Sequence, residues 1–175
     1  MQSKEELRNT ESFRMIINKI INDGEMDLCE RYMHPQMVIA RYGLASMSSM
    51  LMPGRSAPPD GGAIEGFKSG LKQIRTAFPD WNHHIERLVA KDDLVSAIWK
   101  LSCTHMGVFM GLLPTQRSIT MSEAGFMRFV DGRMVEGWFI GDELALAQQL
   151  GISWSAPTID SRGLGNVVES RREGN

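Results

Sequence analysis

"LVSAIWKLSCTH", residues 94–105, alternates strictly enough to decide the class of fold. Its odd positions are Val95, Ala97, Trp99, Leu101, Cys103 and His105. Its even positions are mostly polar, among them Ser96, Lys100, Ser102 and Thr104. A period of two marks a strand with one buried face, and it sets His105 at the end of that face. Working outward, "WNHHIERLVA" reads as a preceding strand joined through the turn "KDD". "SITMSEAGFMRF" (118–129) and "RMVEGWFI" (133–140) read as two further strands joined across "VDG". "MGVFMGLLPTQR" is a connection punctuated by Gly and Pro.

The N-terminal half carries the other period. Phe13, Ile16, Ile17, Ile20 and Ile21 fall at helical spacing, so residues about 4 to 22 form an amphipathic helix. Ser3 and Glu6 offer a capping box, and "NDG" at 22–24 stops the helix. "EMDLCERYMHP" is a short second helix ended by Pro35, and "QMVIARYG" is a strand. "IEGFKSGLKQIRTAF" (64–78) is a third helix with Phe67, Leu71 and Ile74 on one face. "DELALAQQLG" is a last short helix ended by Gly151. Helices and strands are segregated, which predicts an α+β fold: a curved antiparallel sheet with three N-terminal helices on its concave side, enclosing a pocket.

At 175 residues the chain reads as one domain, 1–154, followed by a polar tail, 155–175. Residues 44–63, "LASMSSMLMPGRSAPPDGGA", have no period and form a long loop, either a disordered insertion or a lid over the pocket. A net charge of -2 gives no reason to expect nucleic acid or an anionic membrane as partner. No stretch reads as a bilayer span, and the N-terminus lacks the apolar core of a signal peptide. Cys29 and Cys103 form neither a disulfide framework nor a zinc spacing, so the cytoplasm is the expected compartment. No set of His, Cys, Asp and Glu has metal-ligand spacing and no Gly-rich phosphate loop follows a strand. No metal and no cofactor are therefore expected.

The side chains facing the pocket depend on one turn. Met134, Glu136, Trp138, Ile140 and Asp142 alternate onto a single face. A two-residue Asp131-Gly132 loop would bring Met121, Glu123, Gly125, Met127 and Phe129 to that face. A three-residue loop with a bulge at Gly132 would instead bring Phe126 and Arg128. The second is favoured, because it keeps the Glu123 carboxylate out of an enclosed site and gives Glu136 and Asp142 a cation. Trp99, and His83 from the preceding strand, complete the expected lining. On the residues alone Asp142 has two open roles, N-cap of the last helix or a pocket acid. His105 likewise is either a packing residue or a group at the pocket rim.

The chain resembles the SnoaL-like polyketide cyclases and related ester cyclases of the nuclear transport factor 2-like superfamily. The resemblance rests on "IEGFKSGL", "AFPD", a TH-x-G-x-F-x-G-x-x-PT stretch, a DG hairpin, E-x-W-x-x-x-D and a QLG finish, spanning about 64 to 151. It departs at Cys103 and Gln116, where Gly is usual, at Arg128, where the cyclases have a nearby His, and in the length of the 44–63 loop. The resemblance implies a cone-shaped cystatin-like fold and a cofactor-free enzyme for a bulky, apolar, polyketide-like small molecule. A carboxylate would remove a proton next to carbonyls, and the enolate would close a ring on a second carbonyl. Asp142 would be that acid/base, His105 a partner for the developing oxyanion and Trp138 a wall. Isomerisation, cofactor-independent oxygenation and non-enzymatic binding are the alternatives. The resemblance also implies a homodimer through the sheet's outer face, which is expected to carry Phe139, Met127 and Phe129.

Overall fold

The computed structural model describes residues 2–42 and 62–152. The expected tail from 155, and the expected loop apart from Gly62 and Ala63, lie outside the described residues. Helix α1 (Lys4–Met15) opens on the Ser3–Glu6 capping box and continues as π-helical turns over Ile16–Asn22. A 3-10 turn at Met26–Leu28 leads into the four-residue α2 (Cys29–Tyr32). Strand β1 (Met33–Tyr42) starts earlier than expected and takes in Pro35. Then follow α3 (Gly62–Ala77), β2 (Asn82–Lys91), β3 (Leu94–Thr104), β4 (Ser118–Val130), β5 (Arg133–Gly141) and α4 (Glu143–Leu150).

The five strands form a curved, unclosed sheet in the order β1-β5-β4-β3-β2. The α+β class stands as read. The sheet is antiparallel except at one edge, where β1 pairs parallel to β5. β1 and β2 stand at opposite edges, and the chain comes back beside β1 as β5 only after α3, β2, β3 and β4, the long connection that parallel neighbours require. The alternation of β3 holds throughout, with Val95, Ala97, Trp99, Leu101 and Cys103 buried and continued by His105.

The β4–β5 hairpin differs from expectation in an instructive way. Val130 pairs directly with Arg133 across a two-residue loop, with Asp131 at φ 51° and Gly132 at φ 75°. Positive φ at both central residues suits the right-handed twist of a hairpin. The bulge lies two residues further on: Phe129 faces Met134 and Arg128 faces Glu136, which leaves Val135 as the extra residue. Arg128 and Phe126 therefore do share a face with Glu136, Trp138 and Ile140. That face is the outer one, because Met121, Glu123, Met127, Phe129 and Met134 are buried on the other side.

Two packed clusters hold the helices to the inner face. One joins Phe13, Ile16, Ile17 and Leu71 to Trp99, Met127, Phe129 and Met134. The other joins Ala77, Phe78, Cys103, Ile119 and Leu150. Gly107 ties the second together. A Cβ there would lie 2.3 Å from the Thr76 carbonyl oxygen, and its own N–H donates to the Ala77 carbonyl at 2.9 Å. Only glycine lets the loop after β3 come this close to the end of α3.

Candidate active site

A cavity of about 850 Å³ lies between the two clusters. Its size falls in the range of pockets that take small organic ligands. Ile17 and Ile21 from the π-helical turns, Leu71 and Ile74 from α3, and Leu146 and Leu150 from α4 supply aliphatic wall. Five methionines, Met37, Met110, Met121, Met127 and Met134, supply much of the rest. Phe139 also lines it. Its ring lies against Gly125 and Gly137, where a Cβ would come within 2.6 Å and 2.7 Å of ring carbons. The two glycines let the aromatic ring lie close to the sheet, leaving the space above it open.

The polar groups of the cavity gather around one buried carboxylate. Glu123 lies on the inner face of β4, 3% exposed. Trp99 Nε1 donates to its Oε2 at 2.8 Å, and the Arg41 guanidinium pairs with its Oε1. His83 Nε2 stands 3.3 Å from Oε2, within ion-pair distance. Arg41 Nε also donates to Glu143 Oε1 at 2.8 Å, so one guanidinium bridges β4 and the first residue of α4. All five side chains line the cavity. Burial on its own would raise the Glu123 carboxyl; His83 and Arg41 outweigh it and hold the group down at about 2. Glu123 is therefore an anion throughout the neutral range.

The backbone fixes His83 as firmly as the cluster does. Asn22, the last residue of the π-helical turns, donates Nδ2 to the His83 carbonyl at 2.9 Å and accepts the His83 N–H on Oδ1 at 2.8 Å. Arg75 Nη1 satisfies the Ile21 and Asn22 carbonyls at 3.1 and 2.8 Å. The π-helical winding thus ends in a clamp on the edge strand. Short π segments commonly mark functional positions in helices.

A model of the SnoaL-like polyketide cyclase family matches residues 12–150.

The chain belongs to this family.

Among solved structures it resembles IdmH from Streptomyces antibioticus, a proposed polyketide cyclase. The identity is 27% over 82% of this chain and 98% of that one, with a TM-score of 0.67. A proposed polyketide cyclase from Acidithiobacillus ferrooxidans is similar at 27% identity, covering 82% of this chain and 94% of that one, TM-score 0.65. AclR from Streptomyces galilaeus, a proposed hydroxylase, shares the fold at 20% identity, covering 88% of this chain and 87% of that one, TM-score 0.64. No curated protein sequence matches.

Within this SnoaL-like fold the expected site residues divide sharply. His83 and Trp99 line the cavity. Phe126, Arg128, Glu136, Trp138 and Ile140 do not. They lie on the outer face of the sheet, where Phe126 is 56% and Ile140 60% exposed. Arg128 there donates to Asp93 at 2.6 Å and to Glu136 at 3.2 Å, a surface arrangement. The reason is the bulge at Val135, which turns the following residues of β5 over. Asp142 is exposed and caps α4, accepting the Ala145 N–H at 3.1 Å. Its neighbour Glu143 is the residue that turns into the cavity. His105 is fully buried outside the cavity lining. Its Nδ1 accepts the Thr115 N–H at 3.3 Å and lies 3.1 Å from Thr115 Oγ1, so it fastens the loop between β3 and β4.

Arg41 and Glu143, which the sequence reading did not name, and Glu123, which it set on the other face, complete the ionisable lining of the cavity. Cys103 is buried, which pushes its thiol up to about 12 and removes it as a nucleophile at neutral pH. Among the described residues no group of three or more His, Cys, Asp or Glu could hold a metal ion, and no helix is long and apolar enough to cross a membrane.

Proposed function

We propose that the chain is a cofactor-free SnoaL-type cyclase that closes a ring in a bulky, apolar, oxygen-bearing small molecule by moving a proton inside the cavity. The supporting observation is the division of the cavity into apolar walls and a single ionisable cluster around Glu123. Apolar walls fold a long substrate so that its own carbonyls meet, and proximity of this kind can contribute roughly 7–11 kcal/mol to a ring closure. The cluster supplies charge at one fixed place, where a proton is removed next to a carbonyl and returned to the new alkoxide. The family pattern points to Asp142 and His105 for these roles. Their positions outside the cavity lining move the acid–base step of this proposal to the cavity's own groups. Arg41, half-buried beside two carboxylates, is suited to steady a developing enolate oxygen.

The reading includes a cytoplasmic enzyme, which agrees with two buried, unbridged cysteines, Cys29 and Cys103. It also includes a homodimer formed through the outer face of the sheet.

The test uses a synthetic aryl keto ester able to close by intramolecular aldol addition. Incubation with the protein should give an isomer of unchanged mass and altered chromatographic retention. A product heavier by one oxygen, formed only in air, would replace the reading by oxygenation. Tight binding by calorimetry without any product across a panel of such esters would make the chain a binding module.

A further inference from the structure

His83 has a feature the cyclase pattern does not account for. It is a histidine on an edge strand, 7% exposed, and its Nδ1 is buried without a hydrogen-bond partner among the described residues. Buried ring nitrogens are normally satisfied. The backbone at this position is held by Asn22 on both its N–H and its carbonyl, so the ring is placed rather than loose. Trp81 meets it edge-on with ring centres 5.6 Å apart, and Trp99 lies at 5.8 Å on a tilted approach. Aromatic walls restrict the ring without offering it a hydrogen bond.

Its other nitrogen faces Glu123. The 3.3 Å approach of Nε2 to Oε2 is within ion-pair distance but off the line of a good hydrogen bond. Trp99 already donates to the same oxygen, and Arg41 holds the other. Both oxygens of Glu123 are thus fixed in place by Trp99 and Arg41. An anion fixed beside a neutral imidazole stabilises the imidazolium that forms when the ring takes a proton, the role a buried aspartate has beside histidine in hydrolytic triads.

Resting on the cyclase reading above, we propose that the His83 imidazole is the proton-carrying group of the cavity and that Glu123 is its positioning residue. In the step, a C–H bond next to a substrate carbonyl breaks. Its proton goes to His83 and its electron pair into the enolate. The enolate carbon forms a bond to a second carbonyl carbon of the same molecule, whose π pair moves to oxygen. The new alkoxide takes the proton back from His83. Atoms and charge balance, no oxidant or reductant enters, and product and substrate are isomers.

The base can be tested apart from the natural reaction with a nitrobenzisoxazole. Removal of its ring proton forms a nitrile as the N–O bond breaks, and releases a coloured nitrophenolate. The wild-type chain should accelerate this saturably over buffer. His83→Gln should lower kcat on the order of a hundredfold, the scale of a lost general base. Glu123→Gln should lower kcat with KM nearly unchanged, and Glu123→Asp should recover part of the loss. A purely structural role for Glu123 would instead raise KM along with the loss of folded protein. Circular dichroism on each variant confirms folding. If Glu123→Gln does not fold, the split is read from Glu123→Asp. Ring-nitrogen NMR shifts of labelled His83 then report whether Nε2 is held against the carboxylate. No acceleration by the wild-type chain, or a loss in Asp142→Asn with His83→Gln unaffected, overturns the proposal. Elimination that depends on His83, together with failure to cyclise any keto ester, keeps the base and removes only the cyclase reading.

Discussion

Arg41 reaches Glu123 across an intervening strand. Arg41 stands on β1 and Glu123 on β4, and between them β5 presents Gly141, the residue paired with Glu123 in the ladder. A Cβ at 141 would lie 3.1 Å from Glu123 Cγ and 3.2 Å from Arg41 Nη2. Glycine leaves the lane through which the ion pair forms. Gly141→Ala should therefore displace the pair and cost about 1–3 kcal/mol, the usual range for overpacking. Urea unfolding with an unchanged slope measures it, and a variant as stable as wild type would mean the lane is not needed.

Glu123 makes stability depend on acid. Its folded value, about 2, is below the ordinary 4.5. A depressed carboxyl contributes stability above its unfolded value and loses it as pH falls through the folded one. The wild-type chain should lose on the order of 3 kcal/mol between about pH 4.5 and about pH 2 from this group. Glu123→Gln should start about 3 kcal/mol less stable at neutral pH, because the half-buried Arg41 keeps its charge with one partner fewer. It should also lack that part of the acid loss. Parallel pH curves for the two proteins would contradict this.

Asp142 should behave as a cap. Asn accepts the same backbone N–H, so Asp142→Asn should change stability by less than about 0.5 kcal/mol, whereas Asp142→Ala should cost about 1 kcal/mol. Thermal or chemical unfolding of the pair distinguishes them. Equal losses in both would mean that charge, not capping, is what the position supplies.

The outer face should pair two chains. Ile98, Ala124, Ile140 and Tyr42 lie in one row across four strands, with Phe126 and Trp138 in the next. Ile98 is 46% exposed and Tyr42 58%. Contiguous exposed apolar patches commonly mark interfaces, and closed two-fold pairs are the commonest assembly. Light scattering at micromolar concentration should give twice 19.6 kDa, and Phe126→Asp should return it to 19.6 kDa. A wild-type mass of one chain rules the dimer out.

The surface side chains behind that expectation are not those the sequence suggested. Phe139, Met127 and Phe129 belong to the inner face, and the reason shows what a sequence can carry. Alternation along β3 was legible because nothing interrupts it. β5 looks equally regular, but one extra residue at Val135 reverses every side chain after it, and a bulge has no signature in the residues alone. The cluster was hidden for a second reason. Glu123 follows the period of Met121, Met127 and Phe129, so its inward direction was readable. An unpaired carboxylate argued against it. Its partner sits on β1, whose place beside β5 is set by a crossover and not by any local pattern. Trp99 was readable from the unbroken alternation of β3, whereas His83 faces inward only because β2 carries its own register shift between Ile85 and Arg87, which the short β2–β3 turn does not foretell.

The five methionines around the cavity bear on which molecules it would admit. An unbranched thioether can rearrange at little cost, so such walls follow the outline of whatever enters. Arg41, Glu123 and Trp99 cannot yield in this way, being hydrogen-bonded to one another, and His83 is held beside them by its clamped backbone. Selection would then depend less on silhouette than on where a guest carries its oxygens. Compounds of quite different outline but matching oxygen spacing would be accepted alike, while a close shape mimic lacking one carbonyl would be turned away.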